Sequence, residues 1–148
     1  MPTNIAKHVS LTSLSTYDDS VLLLSRLDLG AFLVWGVWDN ISSTERMDEF
    51  VRFMTAHGFV RPSLMAHLSV YAQFLIGISF IVGLGIRWAG ILCAINFIVA
   101  IAMVDYKLGI RGSFPSACLI LFGLYYMTHG GGRWSLDYFL NLKATTTP

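Results

Sequence analysis

The histidines, carboxylates and amides of this chain fall where several could share one ligand. Asp39, Asn40, His67, Asp105 and Tyr106 sit at the ends of apolar runs, and antiparallel folding of those runs brings them to one level, with Trp35 and Trp38 nearby. Carboxylates beside a histidine relay protons or hold a ligand headgroup. Helix-capping residues at a membrane boundary have the same composition, so both readings stand. Gln73 and Asn96 form a second pair, each roughly 12–14 Å into an apolar run at 1.5 Å per residue. Amides at that depth are either interhelical glue worth about 1 kcal/mol or polar contacts for a quinone or other lipid-soluble ligand. A third group, Arg26, Asp28, Arg87, Arg133 and Asp137, gathers at the opposite level. Arg26 lies about 6 Å inside its run, so it either snorkels or takes a partner, for which Asp137 and Asp28 are the candidates. A charge-pair lock on the C-terminal segment is expected there rather than an anion site.

Depth counting also removes chemistries. Cys93 and Cys118 lie about 8 Å from opposite faces, too far apart for the roughly 7 Å Cα separation of a disulfide, and the chain has no CxxC motif. His67 and His129 fall at opposite ends, which rules out a bis-histidine haem site. No metal-ligand cluster is expected. GGGRWSLD lacks the spaced Gly-Lys-Ser/Thr of a phosphate loop.

The elements that must position these groups are four apolar segments near the length of about 20 residues that spans a bilayer: 22–41, 64–84, 88–106 and a shorter one at 113–129. Between the first two, Met47, Phe50, Val51 and Met54 recur at helical spacing, with Glu45, Arg46, Asp48, Glu49 and Arg52 on the other face. Ser42 and Glu45 form a candidate capping box, Gly58 a stop, and Pro62 suits the first turn of the next helix. A short amphipathic helix in the membrane interface is one reading, a surface helix covering a loop the other. Gly85-Ile86-Arg87 demands a tight hairpin, and KLGIRG joins the last two spans closely. Beyond Gly130–Gly132, Ser135 is placed to cap a tail helix carrying Trp134 and Tyr138 as interfacial anchors. Gly30 and Gly36, Ser79 with Gly83, and Gly90 with Ala94 are expected to permit close helix packing. The fold class is therefore all-α: an integral membrane four-helix up-and-down bundle, with a short interfacial amphipathic helix between helices 1 and 2.

Composition agrees. Of 148 residues 55% are hydrophobic and 13% charged, about half the charged share of soluble domains. The net charge of +1 builds no surface for nucleic acid. One domain at 21–142 is expected, between polar tails at 1–20 and 143–148. The first twenty residues lack the features of a cleaved secretory signal, so the first apolar segment is expected to remain as an anchor. Five Lys and Arg fall on each side of the membrane, which leaves the positive-inside rule undecided.

The stretches RLDLGAFLVWG, GISFIVGLGIRWAG and GGGRWSLD resemble the DoxX family of small four-helix membrane proteins, which includes subunits of thiosulfate:quinone oxidoreductases. The resemblance runs from about Leu24 to Phe139 and marks Arg26, Gly30, Gly83, Arg87, Gly130, Arg133 and Asp137 as family-signature positions. It implies a multi-pass protein of the bacterial cytoplasmic membrane with cytoplasmic termini. Many members carry an acidic residue in the second span where this chain has Gln73, which weighs against a carboxylate-dependent proton step there. Some members are subunits of quinone-linked oxidoreductases; others partner soluble redox proteins.

Three functions follow as expectations. The first is a quinone-linked oxidoreductase subunit or membrane partner of a redox complex, with Trp35, Asp39, His67, Gln73, Asn96 and Asp105 as candidate ligand contacts, and quinone as the one cofactor considered. The second is a non-enzymatic scaffold or assembly protein, and the third a small oligomeric transporter. A redox-protein partner or a second copy of the chain suits these readings. Whether the chain itself catalyses anything is left open at this stage.

Overall fold

In a computed structural model, residues 12–145 are described. Of the tail assigned to residues 1–20, residues 1–11 lie outside the described part, as do 146–148 of the C-terminal one; Thr12–Tyr17 form a 3-10 helix that runs into the first span. The described chain is helical, with no strand. The helices are α1 (Asp18–Ser42), α2 (Thr44–Ala56), α3 (Pro62–Val82), α4 (Ile86–Met103), α5 (Gly109–His129) and α6 (Leu136–Thr145), with a 3-10 turn at Asp105–Leu108.

Four helices are long and apolar enough to cross a membrane: α1 with the turn before it, α3, α4, and α5 with the turn before it. Protein buries at most 28% of the most apolar stretch of any of them. The remainder, including Phe32, Leu75, Trp88, Ile110 and Leu121, is exposed, an apolar surface that water would not tolerate and lipid requires. The chain is an integral membrane protein in contact with the bilayer.

Glycines decide how closely these helices approach. At Gly30 an added Cβ would lie 2.7 Å from the Gly77 carbonyl oxygen, and at Gly90 it would lie 2.5 Å from that of Gly123. The α1–α3 and α4–α5 pairs are thus in backbone contact, as small residues allow in lipid, where dispersion rather than the hydrophobic effect holds helices together. Gly30 and Gly90 do what the sequence predicts; their partners Gly77 and Gly123 carry no distinguishing pattern. Gly36 faces only the Gln73 side chain. The Ser79–Gly83 pair ends α3 instead of packing helices. Gly83 adopts φ +83° and donates its amide to Ser79 O, while the Ser79 hydroxyl donates to Leu84 O.

The core forms two clusters. Leu33, Ile76, Phe80, Ile86, Ala89, Cys93, Leu119 and Tyr126 are buried among the four long helices. Val37, Met47, Met54, Ala66 and Val70 are buried where α2 lies across α1 and α3. The methionines at helical spacing therefore dock α2 on the protein, and its charged face stays outside. Its cap is Ser43, whose hydroxyl accepts from Arg46 N at 3.4 Å, and not Ser42 as the capping-box pattern predicts. α1 runs one residue further than its apolar run, so Ser42 falls inside it and donates back to Trp38 O. Two other limits move. α4 ends at Met103 and not Tyr106, because the backbone leaves the helix at Val104. α5 begins at Gly109 and not Ser113: it accommodates Pro115 in its second turn, where the missing N–H costs one hydrogen bond.

Candidate functional site

The predicted site residues separate into two ends and a middle. In the middle the two amides do not meet. Gln73 Nε2 donates to Leu33 O on α1 at 3.4 Å, and Asn96 Oδ1 accepts from Ser69 on α3 at 3.1 Å. Asn96 meets α3 at Ser69, one turn before Gln73, and Gln73 turns to α1, so the predicted inter-amide bond is replaced by two separate links. Each amide spends one polar atom on a neighbouring helix.

At the end where α3 begins, the residues expected at one level also disperse. Trp35 is 83% exposed on the outer surface of α1, and Asp39 is exposed. Asn40 reaches across to Arg46 O, and Asp105 accepts a hydrogen bond from the buried Ser116 of α5. His67 lines a cleft. Val51 of α2 and Arg61, Pro62, Ser63, Leu64 and His67 of the α3 start line a shallow, largely open cleft of about 510 Å³, with Arg61, Ser63, Leu64 and His67 exposed. His67 Nδ1 lies 2.7 Å from Ser63 O. A carbonyl only accepts, so Nδ1 carries the proton there and Nε2 of the neutral ring is left with an acceptor lone pair. Arg61 precedes Pro62 with φ 53° and ψ 61°, and is the only non-glycine with positive φ among the described residues. That conformation costs about 1–2 kcal/mol, and such strain concentrates at functional positions. Nothing in the sequence marks Arg61: left-handed positions are usually Gly or Asn, and the residue before proline is usually extended.

At the other end of α3 the charged group converges as expected, but through different bonds. Arg26 is 1% exposed and donates Nη1 to Gly131 O at 3.1 Å and Nη2 to Trp134 O at 3.0 Å. Neither predicted carboxylate bonds it, and its Nε is buried without a partner. Asp137 instead accepts from the amides of Gly85 (2.8 Å) and Ile86 (3.0 Å), holding the start of α4 by charge and hydrogen bond together. Its own amide donates to Gly83 O at 3.0 Å. Glycine is required at Gly83, where a Cβ would lie 2.7 Å from Arg26 Nη1. Arg87 donates Nη1 to Met127 O and Thr128 O, tying α4 to the last carbonyls of α5. Asp19 accepts from the Arg133 amide at 2.9 Å, and Asp28 is exposed. Ser135 caps α6 as predicted, accepting from Tyr138 N. The lock on the C-terminal segment is therefore built mainly from charge against backbone, with a loose Arg133–Asp19 ion pair beside it. Tyr126 OH, which donates to Ser25 Oγ at 2.8 Å, adds a link between α5 and α1 that the sequence reading missed.

The DoxX family model matches residues 21–105. The chain belongs to the DoxX family. The matched stretch runs from α1 to the turn after α4 and contains Arg26, Gly30, Gly83 and Arg87, and also the whole His67 cleft. Gly130, Arg133 and Asp137 lie beyond it; of these, Asp137 bonds into it at Gly83, Gly85 and Ile86. No curated protein and no solved structure matches the chain. Among the described residues no group of His, Cys, Asp and Glu could hold a metal ion, and both cysteines are free.

Proposed function

We propose that this DoxX-family protein is the quinone-holding membrane subunit or partner of a redox complex. In this reading the four spans run up and down through a bacterial cytoplasmic membrane, with both termini in the cytoplasm. The observation that carries the proposal is His67. Its Nδ1–H is fixed on Ser63 O, so its Nε2 is available in a cleft whose walls are Val51, Pro62 and Leu64. Those residues fit the group: apolar walls suit a ring and its isoprenoid tail, and Nε2 suits a quinol hydroxyl. A quinone supplies two-electron, two-proton exchange when bound. This chain's part is to hold the ring at the membrane boundary and to accept or return a proton at His67 Nε2. Arg61 lines the same cleft as a cation for the oxygen-bearing end, and in this reading the electrons pass to or from a partner redox protein.

The test is the quinone content of protein purified in mild detergent, together with quinol-linked electron flow. His67→Gln removes the Nε2 lone pair, and the reading expects retained quinone and electron flow to fall by about tenfold, the worth of one good hydrogen bond. Wild-type protein without quinone, and without effect on electron flow, contradicts the reading. A scaffold role is the second reading, favoured by the exposed polar face of α2, where Glu45, Asp48 and Arg52 are unshielded. Co-purification of a stoichiometric partner that is lost on reversing those charges supports it.

A further inference from the structure

The cleft at the other end of α3, about 480 Å³ in volume, has no part in the quinone reading and does not depend on it. Its lining includes Asp19, Arg87, Trp88, Arg133, Asp137 and Tyr138. The two carboxylates are already engaged. Both Asp137 oxygens accept from the amides of Gly85 and Ile86, and Asp19 Oδ1 accepts from Arg133 N. The arginines are not neutralised to match. Arg87 spends Nη1 on two backbone carbonyls, which satisfy hydrogen bonds but carry no net charge. Arg133 is paired only loosely, its Nε 4.0 Å from Asp19 with 73% of the side chain exposed. Beneath the cleft, Arg26 adds a buried cation bonded to carbonyls alone.

The free edge of Arg87 is the informative one. With Nη1 committed, Nε and Nη2 remain, and these two donate side by side in the fork that matches phosphate oxygens. Gly130 lies directly over that edge: a Cβ there would sit 3.5 Å from Nε and 3.6 Å from Nη2. With φ +76° and no side chain, Gly130 keeps the fork uncovered. Trp88 is 73% exposed and Trp134 60%, which sets the cleft at the level of interfacial aromatics, where phospholipid phosphates lie.

We propose that this cleft binds the headgroup phosphate of an anionic phospholipid, with the Arg87 Nε–Nη2 edge as the fork and Arg133 as the second cation. The chemistry would equally recognise free phosphate; the interfacial aromatics favour the lipid.

Native mass spectrometry of the full chain in mild detergent, with equal phosphatidylglycerol and phosphatidylcholine, tests this. Wild-type protein is expected to retain phosphatidylglycerol over phosphatidylcholine by about tenfold, the worth of a charge-assisted pair. Arg87→Lys keeps the charge and loses the fork on the phosphate that both lipids carry, so total retained phospholipid should fall while the preference persists. Arg133→Gln leaves the backbone bond to Asp19 intact and should lower the preference about fivefold without changing the melting temperature. If Arg87→Lys melts early, the Arg133→Gln result decides alone. Equal retention of the two lipids, total retention unchanged in Arg87→Lys, or a preference unchanged in Arg133→Gln, overturns the proposal. A rise in melting temperature with millimolar inorganic phosphate, without any preference between the lipids, overturns the lipid assignment and identifies a free-anion site.

Discussion

Replacing Gly90 by alanine puts a methyl carbon 2.5 Å from the Gly123 carbonyl oxygen and 2.7 Å from Met127 N. Ordinary contact begins at 3.4 Å, so the deficit is about 0.9 Å. Both neighbours are backbone, so no side-chain rotation relieves it, and α4 and α5 must part by a similar distance. A gap of that size forfeits a quarter to a half of the dispersion well for each atom pair across the interface. Overpacking of this kind costs about 1–3 kcal/mol. Alanine's helix preference offsets up to about 1 kcal/mol of that, so a net loss of about 1–2 kcal/mol is expected. The assay is reversible unfolding in mixed micelles of mild detergent and sodium dodecyl sulfate, followed by far-ultraviolet circular dichroism. Gly36→Ala is the control: its methyl meets only Gln73 Nε2, at 3.4 Å, and it should match or slightly exceed wild type. Gly90→Ala as stable as wild type would refute the backbone contact between α4 and α5.

Three further outcomes follow. Asp137→Asn leaves one acceptor oxygen for two amides, so the Gly85–Ile86 turn should loosen by about 1–2 kcal/mol, seen as faster hydrogen exchange at those amides. Arg61→Gly relieves the left-handed strain, so stability should hold or rise by up to about 1 kcal/mol while quinone retention falls; a loss of stability would show that Arg61 serves the fold. Cys93 is fully buried and bonded to Leu119 O, whereas Cys118 is partly exposed, so a membrane-permeant maleimide should modify Cys118 first, and oxidant should form no intrachain bridge.

Residue type and count made the spans legible, because hydrocarbon demands length and apolarity and little else. The same counting placed Gln73 and Asn96 at one depth, but it resolves neither the one-turn offset that sets Asn96 against Ser69 nor the rotation that turns Gln73 to α1. Arg26 announced itself as a buried cation in need of partners. The partners are the carbonyls of Gly131 and Trp134, and main-chain atoms have no letter in a sequence. Gly30 and Gly90 were readable as close-packing positions, yet Gly77 and Gly123 sit in runs where any glycine looks alike until the helices are paired. The cap moved from Ser42 to Ser43 because α1 continues through Ser42; the pattern chose Ser42 by Glu45 three residues on, and that spacing does not say where the preceding helix stops. Arg61 was the least legible, since its residue type argues against the conformation it adopts.

The central claim is that the cleft between α2 and the start of α3 holds a quinone through His67. A photoreactive quinone analogue, irradiated with the full chain in native membranes and mapped by peptide mass spectrometry, tests it most directly. The account predicts adducts on Val51 and on residues 61–67, competed by unlabelled quinone and lost in His67→Gln. Adducts spread along the lipid-facing surfaces of the four spans, unaffected by competition or by that substitution, would contradict it.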